Sequence, residues 1–352
     1  MGGILVKEDS LMMLLLPEMV VEAQERYEIL RQIHDMQPVG RHLLAVQTKL
    51  SENTVRKHIE KMEKAGLLFS RHSGITLTSK GESFIVPLAP YFQKTPALSD
   101  MEGHLASVLS MERVVVVRGN SDESDEVNEE ISQEAAMIFL RMIRDGDVVA
   151  VSGGRILAGI TEALPSLHMN VDIVPARGGS GRQMEYVPDF VAARMAEKLG
   201  GRYHMLQIPD GISPELFLKI RSELPRVREV EKLASEVKIL LTGIDVPRAP
   251  FRWPELPSDV RMRITEEKAE GEALGIYADI NGKVLYRFYN AGISREDISS
   301  IPCVLIAAGG RSRGAAILAM ARAGFRGVLI TDEGAGEEIL RLTAAVQSEN
   351  RR

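Results

Sequence analysis

The 352-residue sequence holds a single cysteine, Cys303, which excludes an intramolecular disulfide framework and a cysteine-rich zinc site and fits a reducing cytoplasm. Its seven histidines, His34, His42, His58, His72, His104, His168 and His204, lack zinc-ligand spacing, so each reads as structural or exposed and no metal is expected. Long apolar runs are also missing. Leu11–Leu16 stops at Pro17, far short of the roughly 20 residues that cross a bilayer. No small-residue cleavage site follows it, so neither a membrane partner nor a signal peptide is expected. A net charge of −6 rules out a uniformly basic nucleic-acid coat, though not a local basic patch. No Walker A or G-x-G-x-x-G pattern occurs, which argues against a nucleoside triphosphate or a dinucleotide and leaves no cofactor to expect.

What is present is ample core material, with 45% hydrophobic and 26% charged residues over a length that suggests two domains. The charge divides unevenly. Residues 1–95 hold 12 Lys and Arg against 11 Asp and Glu, a net of +1, which leaves −7 for residues 96–352. Within the first part, residues 40–80 carry 8 cations against 3 acids. Such a window is either a footprint for an anionic partner or a solvated helix face with local ion pairs. Periodicity has to decide.

Glu18–Met36 has helical spacing at Val21, Tyr27, Leu30 and Ile33, and Pro38 and Gly40 end it. Leu43, Leu44 and Val46 support a short second helix. Ser51 can N-cap a third, on which Val55, Ile59 and Met62 form one inward stripe. Two apolar stretches, Leu67–Phe69 and Ile75–Leu77, then flank Gly74 as a hairpin. Three helices and a hairpin make a winged helix-turn-helix, whose third helix fits the major groove. Its outward residues are the candidate DNA contacts. Asn53 and Thr54 either reach bases or assist the cap. Arg56 and Lys57 leave the buried stripe, Lys61 and Arg71 suit phosphates, and the wing tip is Arg71 with His72. A protein-interaction module could use the same shape, and the charge pattern favours DNA.

Residues 80–112 read as a helical connector. Beyond it, strands alternate with helices: Arg113–Arg118, Val148–Val151, Val171–Val174, His204–Ile208, Ile239–Leu241, Val304–Ala307 and Val328–Ile330, separated by stretches such as Glu129–Ile143, Asp189–Leu199, Arg313–Ala323 and Glu333–Ala345. This predicts an α/β domain built on a mostly parallel sheet covered on both faces. A hairpin turning at Asn281-Gly282 reads as an antiparallel intrusion.

Ligands of such sheets collect at the carboxyl ends of the strands. Three strand ends here carry glycine pairs beside cations: Ser152-Gly153-Gly154-Arg155, Arg177-Gly178-Gly179-Ser180-Gly181-Arg182 and Gly309-Gly310-Arg311-Ser312-Arg313-Gly314. Glycines let backbone amides approach an anion, helix N-termini add a favourable dipole, and arginines engage phosphate bidentately. One such loop is more often a plain turn. Three at one edge point to a phosphorylated small ligand. The proline-punctuated Pro247–Pro254 loop, with Arg252 and the only tryptophan, is either a lid or a rigid surface loop. Glu272 either accepts sugar hydroxyls or is an ordinary surface acid. Asp122–Glu126 reads as a solvated loop, and Asp332 with Glu333 as helix-start acids. An isomerase- or deaminase-like enzyme with an appended interaction domain is the competing reading, for which only Glu272 and Asp332 offer a general base.

In order along the chain, Arg26-Tyr27-Glu28-Ile29-Leu30, Pro38-Val39-Gly40-Arg41, Gly74-Ile75-Thr76-Leu77-Thr78, Gly119-Asn120-Ser121-Asp122, Val149-Ala150-Val151-Ser152-Gly153-Gly154, Pro175-Ala176-Arg177-Gly178-Gly179, Glu272-Ala273-Leu274-Gly275-Ile276-Tyr277, Ala308-Gly309-Gly310 and Thr331-Asp332-Glu333-Gly334-Ala335 resemble a SorC/DeoR-type sugar-responsive transcriptional regulator. The resemblance implies a non-catalytic repressor of glycolytic genes, a homodimer or homotetramer on operator DNA. Its effector domain would be similar to the NagB/ribose-phosphate-isomerase fold, and its effector fructose-1,6-bisphosphate. By motif, the pocket would hold Ser152, Gly153, Gly154, Arg155, Ile156, Arg177, Gly178, Gly179, Arg252, Glu272, Gly310 and Arg313. Arg155 and Ile156 replace threonines of the relatives, and Arg313 a lysine.

Overall fold

The computed structural model describes residues 17–48, 50–71, 74–92, 96–179, 183–209, 212–247, 258–287, 292–293 and 298–349. The expected lid with Arg252 and Trp253, the wing-tip His72, Ser180-Gly181-Arg182 and the Leu11–Leu16 run lie outside them. The chain divides into two compact units, Met1–Thr95 and Pro96–Arg352.

In the first unit, α1 (Pro17–Met36) buries Tyr27, Ile29, Leu30 and Ile33. α2 (Arg41–Thr48) buries Leu44 and Ala45. Leu43 and Val46, read from sequence as its apolar support, share the other face and are 45% and 59% exposed. α3 (Glu52–Lys64) starts where Ser51 Oγ accepts the Thr54 amide at 3.1 Å, and it buries Val55, Ile59 and Met62 as the spacing predicts. Gly66, at φ +73, follows its end. β1 (Leu68–Arg71) and β2 (Gly74–Leu77) pair antiparallel, with Leu68 opposite Leu77. Val39 exchanges backbone bonds of 3.1 and 2.9 Å with Ile75, which laces the wing to the α1–α2 link. Gly74, at φ +124, lies where a Cβ would come within 3.1 Å of Pro38. α4 (Ser79–Phe92) completes a core of aliphatic side chains from every element.

The second unit begins with α5 (Pro96–Leu109), β3 (Arg113–Val117), α6 (Asp125–Met142), β4 (Val148–Val151), α7 (Arg155–Ala163), β5 (Asp172–Pro175) and α8 (Pro188–Leu199). It continues through β6 (Arg202–Tyr203), α9 (Pro214–Glu223), α10 (Pro225–Ser235), β7 (Val237–Gly243) and α11 (Ser258–Glu266). The short strands β8 (Gly271–Ala273), β9 (Ile276–Ala278) and β10 (Val284–Arg287) precede β11 (Cys303–Ala307), α12 (Gly314–Arg322), β12 (Val328–Asp332) and α13 (Glu333–Glu349). Seven strands form one sheet in the order β3-β12-β11-β7-β4-β5-β6, with every described pairing parallel.

The alternation of side chains splits the core in two. Val149, Val151, Ile239, Leu241 and Ile330 face α6, α7 and α8, while Val148, Ala150, Leu240, Ile306 and Leu329 face α5, α12 and α13. Burial on both sides is why these strands are continuous apolar runs.

Two expectations are corrected. The strand placed at His204–Ile208 is the two-residue β6, Arg202–Tyr203. Beyond it the buried Asp189 carboxylate accepts the amides of Leu206 at 2.7 Å and Gln207 at 3.1 Å, and Gln207 takes φ +51. A side chain thus replaces the neighbouring strand. The Asn281-Gly282 hairpin does not enter the main sheet either: β9 and β10 join β8 in a separate antiparallel sheet of order β10-β9-β8. Its first turn is Leu274-Gly275, both at positive φ, a hairpin geometry that leaves no room for a longer connection.

Candidate functional site

Because the strands are parallel, β12, β11, β7, β4 and β5 present their carboxyl ends along one edge. All three glycine-pair loops lie there, and the backbone explains their glycines. A Cβ on Gly153 would sit 2.3 Å from the Tyr186 carbonyl oxygen, and one on Gly310 2.4 Å from an Asp122 carboxylate oxygen.

The β4–α7 loop is open. Gly154, at φ +110, is the N-cap of α7 and offers no side chain to it. The first-turn amides of Arg155, Ile156 and Leu157 are therefore the uncapped positive end of a helix. Gly154 itself donates to Tyr186 O at 2.8 Å, and the Ser152 amide continues the ladder to Leu241 O. Ser152 is buried, and Ile156 packs half-buried against the core. Arg155 is exposed, 3.9 Å from Asp125.

The β11–α12 loop is filled from within the protein. Gly310 N donates to Asp332 Oδ2 at 2.6 Å, Arg311 N to Asn120 Oδ1 at 3.1 Å and Ser312 N to Asp122 Oδ2 at 2.7 Å. Ser312 Oγ adds a bond of 2.8 Å to Asp122 Oδ1. Asp332 is fully buried and also accepts from Ser121 N and Ala335 N, each at 2.8 Å. Asp122 stays in an exposed turn, as its sequence surroundings suggest, while its carboxylate holds the Ser312 amide and hydroxyl. It is a cap, and Asp125 and Glu126 open α6.

Between these loops, two arginines face two carboxylates. Arg177 Nη1 bonds Glu272 Oε1 at 2.8 Å, with the side chains 17% and 15% exposed. Glu272 Oε1 accepts the Gly275 amide as well, at 2.7 Å. The backbones of Glu272 and Asp245 exchange two bonds of 2.9 Å. Asp245, at the end of β7, in turn lies 3.6 Å from Arg313 Nε. Arg313 also donates to Gly309 O at 2.9 Å and stands 4.0 Å from Asp122. Gly178 is buried, and the Gly179 amide is bonded to Ile208 O at 2.9 Å. Asp245 is the rim residue that sequence reading missed. Its only signal is an acid directly after an apolar strand.

On the first unit, Asn53, Arg56 and Lys57 stand exposed on α3. Arg56 is 3.9 Å from Glu60. Thr54 Oγ1 is bonded to Ser51 Oγ at 2.8 Å, which places it in the cap. The Arg71 guanidinium lies over the Phe69 ring, 5.4 Å from its centroid. Lys61 is bonded to Glu22 of α1.

Among the described residues no helix is long and apolar enough to cross a membrane.

Residues 22–92 match the family described as "CggR N-terminal DNA binding domain", and residues 94–341 the family described as "Putative sugar-binding domain". The chain is 34% identical to the central glycolytic genes regulator of Priestia megaterium over 93% of this chain and 96% of that protein. It is 30% identical to the Bacillus subtilis protein of the same name, over the same shares. A SorC family transcriptional regulator from Enterococcus faecalis superposes with a TM-score of 0.63 at 29% identity, covering 68% of this chain and 99% of that one. A DNA-binding domain joined to a sugar-binding α/β domain makes this chain a member of the SorC/DeoR-type family of sugar-responsive transcriptional regulators.

Proposed function

We propose that the protein is a cytoplasmic, non-catalytic repressor of glycolytic genes whose operator affinity is set by fructose-1,6-bisphosphate or a closely related sugar phosphate. The relatives' shared name motivates the target genes. The observation that carries the ligand class is the edge itself. The uncapped start of α7 adjoins a row of Arg177, Glu272, Asp245 and Arg313, which offers guanidinium donors to phosphate and carboxylate acceptors to sugar hydroxyls. Arg155 adds an exposed cation at that helix start, and Ile156 offers no side-chain donor. Gly153, Gly154 and the first turn of α7 would hold one phosphate, while Arg177, Arg313 and Arg252 would serve the rest of the ligand.

The carboxylates that an isomerase would need as bases are already committed. Asp332 accepts three amides, and Glu272 accepts from Arg177 and Gly275. That supports a binding role. On the first unit, Asn53, Arg56, Lys57 and Arg71 would face operator DNA, with two or four winged helices presented by a homodimer or homotetramer.

A ligand alters DNA affinity only by binding two states of the protein differently. Gel shift of an operator fragment with and without fructose-1,6-bisphosphate, beside calorimetric titration of the same sugar, tests the proposal. Binding of the sugar with a changed operator complex is expected. Turnover of a sugar phosphate, or an operator complex indifferent to every phosphosugar, would overturn it.

A further inference from the structure

The seam between α1 and α3 holds a compact set of charges. Lys61 Nζ donates to Glu22 Oε1, and Arg26 Nη2 reaches the same oxygen at 2.6 Å. Arg26 Nε donates to His58 Nδ1 at 3.4 Å, while His58 Nε2 meets Glu25 Oε2 at 2.8 Å. Arginine can only donate, so Nδ1 accepts and Nε2 donates toward Glu25. Glu22, Glu25, Arg26 and Lys61 then sum to zero charge. The Lys61 hydrogen bond, followed by that of Arg26, holds the Glu22 carboxyl down to about 2, so it is ionised wherever the protein works.

Lys61 lies one helical turn beyond Lys57 on α3, and the stripe that buries Val55, Ile59 and Met62 is opposite both. The two lysines differ in their surroundings. Among the described residues Lys57 has no ion-pair partner, and neither has Arg41, the first residue of α2. In helix-turn-helix docking the recognition helix enters the major groove while the helix before it crosses the backbone. That places Arg41 and Lys57, two of the cations without an ion pair, toward phosphates.

We propose that Glu22 is an internal substitute for a DNA phosphate: it neutralises Lys61, so that contact with the DNA backbone runs through cations without such a partner, Arg41, Lys57 and Arg71 among them, and it sets the ceiling on sequence-independent affinity. Releasing Lys61 to the duplex would leave Glu22, Glu25 and Arg26 with a net negative charge beside incoming phosphates, where like charges repel. The pair therefore holds against DNA although it is exposed. Phosphate contacts supply the non-specific part of binding and its salt dependence, whereas base contacts supply the sequence reading. A carboxylate that removes one phosphate contact lowers the first without touching the second.

The inference rests on the DNA-binding reading, and the test separates the two. The full-length chain is titrated by fluorescence anisotropy onto a short non-operator duplex across a range of salt. Each phosphate contact contributes a log–log slope of about 0.9. Glu22→Gln is expected to steepen the slope by about 0.9, so that it loses about 3.5-fold more affinity than wild type between about 50 and 200 mM salt. Lys61→Ala or Lys61→Met is expected to leave the slope within about 0.2 of wild type, and Arg41→Ala and Lys57→Ala each to flatten it by about 0.9. The double variant Glu22→Gln/Lys61→Ala should return to the wild-type slope, which a merely structural role of Glu22 would not produce. A Lys61 variant that flattens the slope as much as Lys57→Ala does, or a Glu22→Gln slope equal to wild type, overturns the inference alone. A wild-type chain that binds no duplex overturns both readings.

Discussion

The β4–α7 and β11–α12 loops end parallel strands at the same sheet edge, and both read Gly-Gly-Arg. In one, the helix start is uncapped. In the other, Asp122, Asn120 and Asp332 have taken the amides. Anion-binding geometry is common to both, but only in the first are donors left for a ligand. A glycine-rich strand end keeps amides available for a ligand when nothing else in the fold satisfies them, and a buried carboxylate from a neighbouring strand is enough to convert it into a structural joint.

Asp332 separates the two loops most strongly. Asp332→Ala strands three amide donors in the interior, and at about 1–3 kcal/mol for each buried unsatisfied group a loss of at least ~3 kcal/mol is expected in urea unfolding. A loss below about 1 kcal/mol would mean that water replaces the carboxylate and that the joint is looser than its geometry. Next in size is ligand affinity. Arg177→Ala, which also leaves the half-buried Glu272 without its partner, should weaken fructose-1,6-bisphosphate by at least about tenfold, measured by calorimetry, because a charged hydrogen bond is worth about 1.5–3 kcal/mol. Unchanged affinity would put the ligand elsewhere.

A smaller effect distinguishes the filled loop from the open one. Asp122→Asn should lower stability by about 1 kcal/mol through the weakened Ser312 bonds, and phosphate affinity by nothing measurable. If it creates a new phosphate site, Asp122 is guarding a second binding loop and the contrast fails. The smallest effect lies at the far end of the sheet. Hydrogen bonds from Arg202, then His204, hold the Asp172 carboxyl below its ordinary value of 3.8. A depressed folded value stabilises the protein above that pH and ceases to as pH falls through the folded value. Wild type should therefore lose more melting temperature than Asp172→Asn on acidification below about pH 4, and parallel pH profiles would refute this.

Much of the fold was legible because its signals are local. The Val55, Ile59, Met62 stripe and the Ser51 cap sit within single turns of helix, and continuous runs such as Val148–Val151 announce strands covered on both faces. His204–Ile208 misled because its apolar residues look strand-like, while the carboxylate that bends the backbone away, Asp189, lies in the preceding helix. Among the candidate site residues, Arg177 and Arg313 were recognisable by their place after strands. Asp245 and Glu272 meet only through pairing of the small sheet with the end of β7, which no spacing records.

The two-part architecture, the basic patch on the first unit and the clustering of glycine loops at one sheet edge can be read along the chain alone, since they follow from periodicity, composition and the rule that parallel strands share a direction. Which loop keeps its amides free, and which lysine is left without a carboxylate partner, depends on contacts between elements far apart in the chain. Both depend on a carboxylate brought from a distant element, Asp332 to Gly310 or Glu22 to Lys61, and electrostatics acts over ångströms in space whatever the separation along the chain.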